Sequence, residues 1–241
     1  MFNKLTSILW KVFFVIMMLL LFIFLLFHLV SKLFLSPRRY RRLTWQVARV
    51  WGWFTMVSTG TRVKVSGREN IPLEGPICFM GNHQSYFDIP TLLGFAGCPM
   101  GFIAKQELAR VPVLKQWMVQ LPSFFLDRDN ARQAIKVFKA AAKVMKEGHP
   151  MVIFPEGLRA ERGKVADFHL GSLKLAQMAG ATIVPFALDG TWRMLEIDGN
   201  IHAARVNFTI LPPVRPGDPI YDDKIALAAH LKSSIEACLT D

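Results

Sequence analysis

The sequence predicts an α/β fold, in which a mixed, largely parallel sheet is flanked by helices and follows an N-terminal hydrophobic two-helix membrane anchor. Residues 12–31 contain no Asp, Glu, Lys or Arg. From residue 61 onward, short apolar β-prone runs alternate with helical patterns, and several runs end in polar residues. We therefore expect a membrane-anchoring helical segment over residues 1–60 and an α/β domain over residues 61–241.

The charge balance restricts the classes of partner. The 241-residue chain has 29 Lys and Arg against 18 Asp and Glu, a net charge of +11. Such a chain suits nucleic acid, anionic lipid, phosphorylated substrates or an acidic carrier protein. A hydrophobic content of 52% argues against a mainly solvated nucleic-acid binder. Cys78, Cys98 and Cys238 show no metal-ligand spacing, so we predict reduced cysteines in a cytoplasmic setting and no metal site.

The first apolar segment, residues 12–31, has the length of a membrane span. Twenty residues of helix reach about 30 Å, the thickness of the hydrocarbon core. A cleaved signal peptide is disfavoured because "SKLFLSPRRYRR" follows, without a small-residue cleavage site. The flanking cations place residue 32 onward in the cytoplasm: Lys32, Arg38, Arg39, Arg41 and Arg42 after the segment, Lys4 and Lys11 before it. The segment crosses the bilayer or embeds in one leaflet as half of a helical hairpin; the sequence leaves both open.

The second helical stretch, residues 40–60, follows a break at Pro37. Trp45, Trp51 and Trp53 are interleaved with arginines. This mix is typical of a helix at the membrane interface, with rings at headgroup level. An ordinary helix that packs on the core and exposes a basic face is the alternative.

Four apolar runs, at 77–80, 101–104, 124–126 and 152–154, are predicted strands that lead directly into polar residues. In open α/β sheets, ligands bind beyond the carboxyl ends of the strands. If these strands are parallel neighbours, six side chains meet at one edge: His83, Asp88, Lys105, Arg128, Glu156 and Arg159.

The other elements are read from periodicity and caps. A strand is predicted at 62–67, a helix at 168–180, strands at 182–188 and 205–211, and a last helix at about 221–239. Asn130 is expected to cap a helix that stops at Gly148, with apolar positions 134, 135, 138, 141, 142 and 145 facing the core. That helix carries a row of cations at Arg132, Lys136, Lys139, Lys143 and Lys146. The row is either a solvated face or a docking surface for anionic lipid or an acidic carrier.

The pair His83 and Asp88 suits general-base chemistry, because a carboxylate fixes the imidazole tautomer and stabilises its cation. The spacing works if His83 lies in a turn and Asp88 on the first turn of the next helix, with Ser85 able to cap it. Gly157 lets backbone amides approach an anion. No serine or cysteine nucleophile stands out, so direct transfer to a substrate hydroxyl is the simpler hypothesis.

Four blocks in order, "NHQSYFD" (82–88), "FLDR" (125–128), "FPEGLR" (154–159) and "IVPFAL" (183–188), resemble those of the glycerolipid acyltransferases. The likeness covers residues 60 to 215 and is nearest to the 1-acyl-sn-glycerol-3-phosphate acyltransferases. It implies the glycerolipid acyltransferase fold at a bacterial inner membrane. It also implies transfer of a fatty acyl group from acyl-CoA or acyl carrier protein to lysophosphatidic acid, making phosphatidic acid, with no bound cofactor.

The resemblance also implies roles for the matched residues. His83 would be the base and Asp88 its orienting partner. Arg128, Arg159 and Lys105 would hold the acceptor's phosphate, and Glu156 and Gly157 would shape its site. Val184 and Pro185 would line or support the acyl site.

One departure from the family pattern lies in the third block, where Leu158 and Ala160 replace the usual Thr and Ser. The loss of both hydroxyls puts fine acceptor specificity in doubt. Glycerol-3-phosphate or another lyso-lipid is the alternative acceptor, and a non-catalytic protein that binds anionic lipid is the alternative class. Chain-length preference and oligomeric state are not predicted.

Overall fold

The computed structural model describes residues 4–160 and 163–240. The chain begins with two long helices, α1 (Lys4–Ser31) and α2 (Pro37–Ser58). Pro37 is the first residue of α2, a position where proline's missing N–H is tolerated. The Ser36 hydroxyl accepts a hydrogen bond from the Arg39 amide at 3.4 Å and caps this helix. The predicted break at Pro37 therefore separates two helices.

Within the described residues, seven strands form one mixed sheet in the order β1-β7-β6-β2-β5-β3-β4. They are β1 (Arg62–Ser66), β2 (Ile77–Gly81), β3 (Gly101–Lys105), β4 (Phe124–Leu126), β5 (Met151–Ile153), β6 (Thr182–Asp189) and β7 (Arg205–Ile210). Neighbouring strands are parallel except β6 and β7, which pair antiparallel. The four strands that precede the candidate site residues are consecutive parallel neighbours, so the predicted, largely parallel sheet is confirmed.

Five further α-helices lie among the described residues: α3 (Asp88–Phe95), α4 (Leu114–Gln120), α5 (Ala131–Lys146), α6 (Leu170–Ala179) and α7 (Lys224–Glu236). The Asn130 side chain caps α5 by accepting from the Gln133 amide at 3.0 Å, as predicted. Helix α4 was not predicted, because its seven residues show no clear apolar repeat.

The sheet separates two apolar layers, since successive strand residues point to opposite faces. Helices α5, α6 and α7 cover one face and pack on side chains such as Cys78, Met80 and Ile153. Helices α2 and α3 cover the other face and pack on Phe79 and Val152. The prediction that residue 135 faces the core was wrong: Ile135 is 52% exposed, because the apolar side of α5 is centred on Phe138, Ala141, Ala142 and Met145.

Helix α2 packs directly on α3 where two glycines meet. A Cβ on Gly52 would lie 2.6 Å from the Pro90 carbonyl oxygen, and one on Gly94 would lie 2.5 Å from the Trp53 amide nitrogen. The helix therefore has a core-packing side, while Trp53 on its other side is 48% exposed. The close packing on α3 fits the interpretation of residues 40–60 as a core-packing helix, and the exposed Trp53 fits the interpretation as a helix at the membrane interface.

Helix α1 is apolar along most of its length and is joined to the rest of the molecule near both ends. It is the one helix among the described residues that is long and apolar enough to cross a membrane. Near its start, the Ser7 hydroxyl accepts from the Ile201 amide at 2.9 Å, and the Lys11 ammonium donates to the Gly199 carbonyl at 2.7 Å. Further along, the Trp117 indole N–H donates to the Leu21 carbonyl at 3.3 Å, and near the end of the helix His28 Nε2 lies 3.0 Å from the Thr44 hydroxyl oxygen.

Candidate active site

The imidazole of His83 is paired with the carboxylate of Asp88. Its Nδ1 lies 2.7 Å from Asp88 Oδ2, and the Asp88 side chain is fully buried. The His83 side chain remains 21% exposed, so the ring is open to the surface on one side. With Nδ1 directed at the carboxylate, Nε2 is the ring nitrogen free to exchange a proton with a substrate.

The local backbone explains why a spacing of five residues brings these groups together. His83 follows β2 in a short loop, and Asp88 is the first residue of α3, as predicted. Asp88 Oδ2 also accepts from the amides of Gln84 at 2.7 Å and Ser85 at 2.9 Å. Its negative charge lies at the helix N-terminus, where the helix dipole favours it.

The prediction that Ser85 caps α3 was wrong, because Ser85 lies two positions before the N-cap. The N-cap position itself is occupied by Phe87, which makes no side-chain capping bond. The Ser85 hydroxyl accepts from the Phe87 amide at 3.0 Å and donates to Glu196 Oε2 at 2.7 Å. Ser85 thus links the start of α3 to the segment that follows β6.

Phe154 and Glu156, just beyond β5, hold the loop that carries His83. The Phe154 ring stacks on the imidazole with 4.1 Å between ring centroids. The His83 amide donates to Glu156 Oε1 at 2.7 Å, and the Ala166 amide donates to Oε2 at 2.8 Å. Burial raises the pKa of Glu156 to about 7, although these two amide donors favour its charged form. By bonding the His83 and Ala166 amides, the Glu156 carboxylate holds the backbone of the His83 loop in place.

Gly157 makes room for two side chains. It has a φ of 72°, and its amide donates to the Phe154 carbonyl at 3.1 Å. A Cβ here would lie 2.9 Å from His169 Cδ2 and 3.6 Å from Arg128 Nη1. The side chains of His169 and Arg128 both lie over Gly157. Because Gly157 has no side chain, Arg128 can reach the edge of the sheet where His83 lies.

Arg159 is held over an aromatic ring beside the same loop. Its guanidinium carbon lies 3.6 Å from the centroid of the Tyr86 ring, within the range of a cation–π contact. Its Nη1 lies 3.6 Å from Glu196 Oε1, and the side chain is partly exposed. Glu196 also accepts from the Tyr86 amide at 3.1 Å, and burial raises its pKa.

Lys105 is the last residue of β3 and lies on the same edge of the sheet. Its ion pair among the described residues is with Glu107, not with the His83 loop. Its ammonium pairs with Glu107 at 2.8 Å, and both side chains are more than half exposed. Such a surface pair contributes little to stability, so Lys105 can exchange partners. The structure thus brings His83, Asp88 and Glu156 into one hydrogen-bonded group, with Arg128 and Arg159 at its border and Lys105 further out.

The departures at Leu158 and Ala160 differ in their surroundings. Leu158 is 56% exposed, whereas Ala160 is nearly buried and donates its amide to the His83 carbonyl at 2.8 Å. Val184 and Pro185 are buried in β6, and Pro185 is in register with Met80 of β2.

Among the described residues, no group of His, Cys, Asp and Glu is arranged to hold a metal ion.

Sequence reasoning did not find Phe154, His169 and Glu196. The apolar run predicts Phe154 as the last residue of a strand, but it lies just beyond β5 and contacts His83. Glu196 lies more than a hundred residues from its partners Ser85 and Tyr86, and no local pattern marks it. His169 does not directly follow a strand, so the strand-end pattern does not include it. Its position close to Gly157 is visible only in the structure.

The chain also matches a known protein family. Residues 62–189, more than half of the chain, match the model of the Acyltransferase family. This range includes the His83 loop, Arg128, Arg159 and the fourth block at 183–188.

Individual relatives carry more specific names. The 1-acyl-sn-glycerol-3-phosphate acyltransferase of Borreliella burgdorferi is 35% identical over 132 residues, covering 55% of this chain and 53% of that protein. The protein of the same name from Pseudomonas aeruginosa is 35% identical over 150 residues, 62% of this chain and 58% of that protein. The matched part thus spans little more than half of these relatives.

A solved structure matches nearly the whole chain. The crystal structure of the 1-acyl-sn-glycerophosphate (LPA) acyltransferase PlsC from Thermotoga maritima superposes with a TM-score of 0.76 at 26% identity. The match covers 92% of this chain and 93% of that one, so it includes helical parts outside the family match.

Proposed function

Since the chain belongs to the acyltransferase family, we propose that it transfers a fatty acyl group from an acyl thioester to the free sn-2 hydroxyl of 1-acyl-sn-glycerol-3-phosphate. The product is phosphatidic acid. The names of the relatives and of the similar solved structure support this acceptor. The observation that carries the proposal is the His83–Asp88 pair, 2.7 Å apart, with Arg128 and Arg159 beside it.

The first step is proton transfer from the acceptor. His83 Nδ1–H donates to Asp88, so Nε2 presents a lone pair to the sn-2 hydroxyl and takes its proton as the hydroxyl oxygen attacks. The buried carboxylate of Asp88 stabilises the imidazolium that forms and keeps the ring in one orientation.

The second step breaks the thioester. The acceptor oxygen bonds to the carbonyl carbon and gives a tetrahedral intermediate whose negative charge lies on the former carbonyl oxygen. When the intermediate collapses, the carbon–sulfur bond breaks and the leaving thiolate takes the proton from His83. The new ester is released with the histidine in its starting state, and no covalent enzyme intermediate is needed.

The acceptor's phosphate is assigned to Arg128 and Arg159, with Lys105 as a more distant cation. Arginine offers a planar set of donors that matches a phosphate. Arg159 is already oriented by Tyr86 and Glu196, which reduces the conformational entropy lost when it binds the acceptor.

The test of this acceptor is a panel of acceptors offered to the purified protein with one labelled acyl thioester. The panel contains 1-acyl-sn-glycerol-3-phosphate, glycerol-3-phosphate and a lyso-lipid without a phosphomonoester. We expect the first to be acylated fastest. Fastest turnover of the acceptor without a phosphomonoester would contradict the proposal.

We infer that the protein works at the cytoplasmic face of the inner membrane with α1 embedded in one leaflet. Helix α1 exposes apolar side chains such as Leu19, Leu20 and Phe27, which suit lipid contact. A transmembrane orientation would pull the first residues of α1 away from the segment around Gly199 and Ile201. Both ends of α1 therefore stay on the side of the α/β domain, and α1 and α2 together form the membrane anchor.

A further inference from the structure

We propose that the row of cations on α5 docks an acidic carrier protein, which presents the acyl group as a thioester. This inference rests on the proposed function and assigns a docking surface on this chain to a carrier that would bring the acyl donor to that site. The row, called here the α5 basic row, consists of Arg132, Lys136, Lys139, Lys143 and Lys146.

The α5 basic row is a continuous, solvent-facing feature. All five side chains are exposed, and they recur at intervals of four and three residues along one side of the helix. From the first to the last, the row extends about 21 Å along the helix axis. None of the ion pairs among the described residues involves any of the five. Their positive charge is therefore available to an external anion.

The α5 basic row belongs to a helix on the sheet face opposite to the one that α2 covers. Helix α5 packs on the sheet face that contains Cys78 and Met80, together with α6 and α7. Helix α2, which contacts α1, packs on the opposite face, against Phe79 and Leu92. If α1 and α2 are embedded in lipid, the α5 basic row points toward the aqueous side. A soluble partner therefore fits the row better than the lipid surface does.

The start of α5 is fixed next to the active site. Gln133, in the first turn, accepts from the Asp127 amide at 3.0 Å and donates to the Phe125 carbonyl at 3.2 Å. These bonds join the helix to the carboxyl end of β4, the segment that also carries Arg128. A carrier bound along the row would thus have one end close to the edge of the sheet where the thioester must enter.

The dimensions favour a protein over a small nucleotide-bearing donor. The anionic groups of coenzyme A are few, and a compact cluster of cations would satisfy them. A straight row of five cations instead matches an acidic helix lying along α5. Ile135 lies between Arg132 and Lys136 in the sequence and is 52% exposed. It offers an apolar contact beside the cations of the α5 basic row, as in interfaces whose apolar centre has a polar rim.

The experiment compares two double variants that change the net charge equally. Lys136→Glu with Lys139→Glu alters the α5 basic row, and Arg62→Glu with Lys64→Glu alters exposed cations on β1 as the control. For each, KM is measured with acyl carrier protein and with coenzyme A bearing the same acyl group, at a fixed concentration of 1-acyl-sn-glycerol-3-phosphate. Binding of unacylated carrier protein and cosedimentation with vesicles containing anionic phospholipid are measured in parallel.

We expect the variant of the row to raise KM for the carrier thioester by about tenfold or more, with a matching loss of carrier binding. KM for acyl-CoA, vesicle binding and the control variant should stay within about twofold of the wild type. The proposal is overturned if the carrier KM is unchanged, if both donors are affected equally, or if the loss is in vesicle binding. Wild-type protein that transfers from neither donor refutes the proposed function instead, while the direct binding measurement still decides the docking.

Discussion

Three contacts hold the ring and the backbone of His83, and they come from two other parts of the chain. Asp88 holds Nδ1 from the start of α3, Phe154 stacks on the ring, and Glu156 accepts from the backbone amide. A base held from three directions loses little freedom when the acceptor binds. The proposed chemistry therefore depends on the loops after β2 and β5 as one unit.

The phosphate role of Arg159 predicts a selective defect. In Arg159→Ala, we expect KM for 1-acyl-sn-glycerol-3-phosphate to rise by about ten- to a hundredfold, because charge-assisted hydrogen bonds to the phosphate are lost. KM for the acyl donor should change little. Steady-state kinetics with each substrate varied in turn measures both, with Arg205→Ala as a control at an exposed arginine on β7. An unchanged acceptor KM with kcat intact would show that Arg159 does not bind the phosphate.

Residues that follow strands were the predictable part of the site. His83, Lys105, Arg128 and Glu156 were placed at one edge because parallel strands carry their carboxyl ends together. Glu196 and His169 were not found, because their partners are distant in sequence and neither belongs to a local pattern. Their positions depend on how whole segments pack, which periodicity does not encode.

At the scale of elements, the crossing of α2 and α3 joins the membrane anchor to the sheet. The backbones approach so closely at Gly52 and Gly94 that neither position accepts a Cβ without movement of the facing backbone. Since α2 also contacts α1, this crossing determines how the proposed anchor is oriented relative to the active site.

We expect Gly94→Ala to lower the free energy of unfolding by about 1 to 3 kcal/mol, because the added methyl group forces the helices apart. Gly171→Ala in α6 is the matched control, since a Cβ there meets nothing within 4 Å. Replacing glycine by alanine lowers the conformational entropy of the unfolded chain. The control should therefore be as stable as the wild type or about 0.5 to 1 kcal/mol more stable. Thermal unfolding in detergent measures both. A Gly94→Ala protein as stable as the control would contradict the close crossing.

The predicted elements agree with the structure where apolar periodicity was strong. The strands before the site and helix α5 lie within a few residues of their predicted bounds, and Asn130 caps α5 as expected. Two misses have different physical causes: α4 is too short for a repeat to show, and Ile135 is apolar without being buried. Pattern alone does not reveal which apolar residues tertiary packing covers.

For the whole molecule, the proposed placement at the membrane gives the sheet a lipid side and an aqueous side. Helix α2, which contacts α1, packs on one face of the sheet, and α5 with its basic row packs on the other. In the proposed reaction, the acceptor would reach the site from the membrane and the donor from the water. The boundary between the two parts at residue 60 stays a prediction, because α2 packs against the α/β part along α3.

The placement of α1 in one leaflet predicts which side of the membrane its ends occupy. Leu5→Cys and Leu33→Cys introduce thiols at exposed positions near either end, in a background where Cys98 and Cys238 are alanine. In inverted membrane vesicles, a membrane-impermeant thiol reagent should label both from the cytoplasmic side. Labelling of Leu5→Cys only after the vesicles are opened would instead show that α1 crosses the bilayer.

The central claim is that His83 takes the proton from the acceptor's hydroxyl. The most direct measurement is the rate of phosphatidic acid formation from 1-acyl-sn-glycerol-3-phosphate by wild-type and His83→Ala protein, with thermal unfolding to show that both are folded. His202→Ala is the control, because His202 also pairs with an aspartate, Asp198, at 2.9 Å. We predict that His83→Ala lowers the rate by at least about a hundredfold while His202→Ala stays near the wild type. A folded His83→Ala protein that keeps a substantial share of the wild-type rate would contradict the assignment.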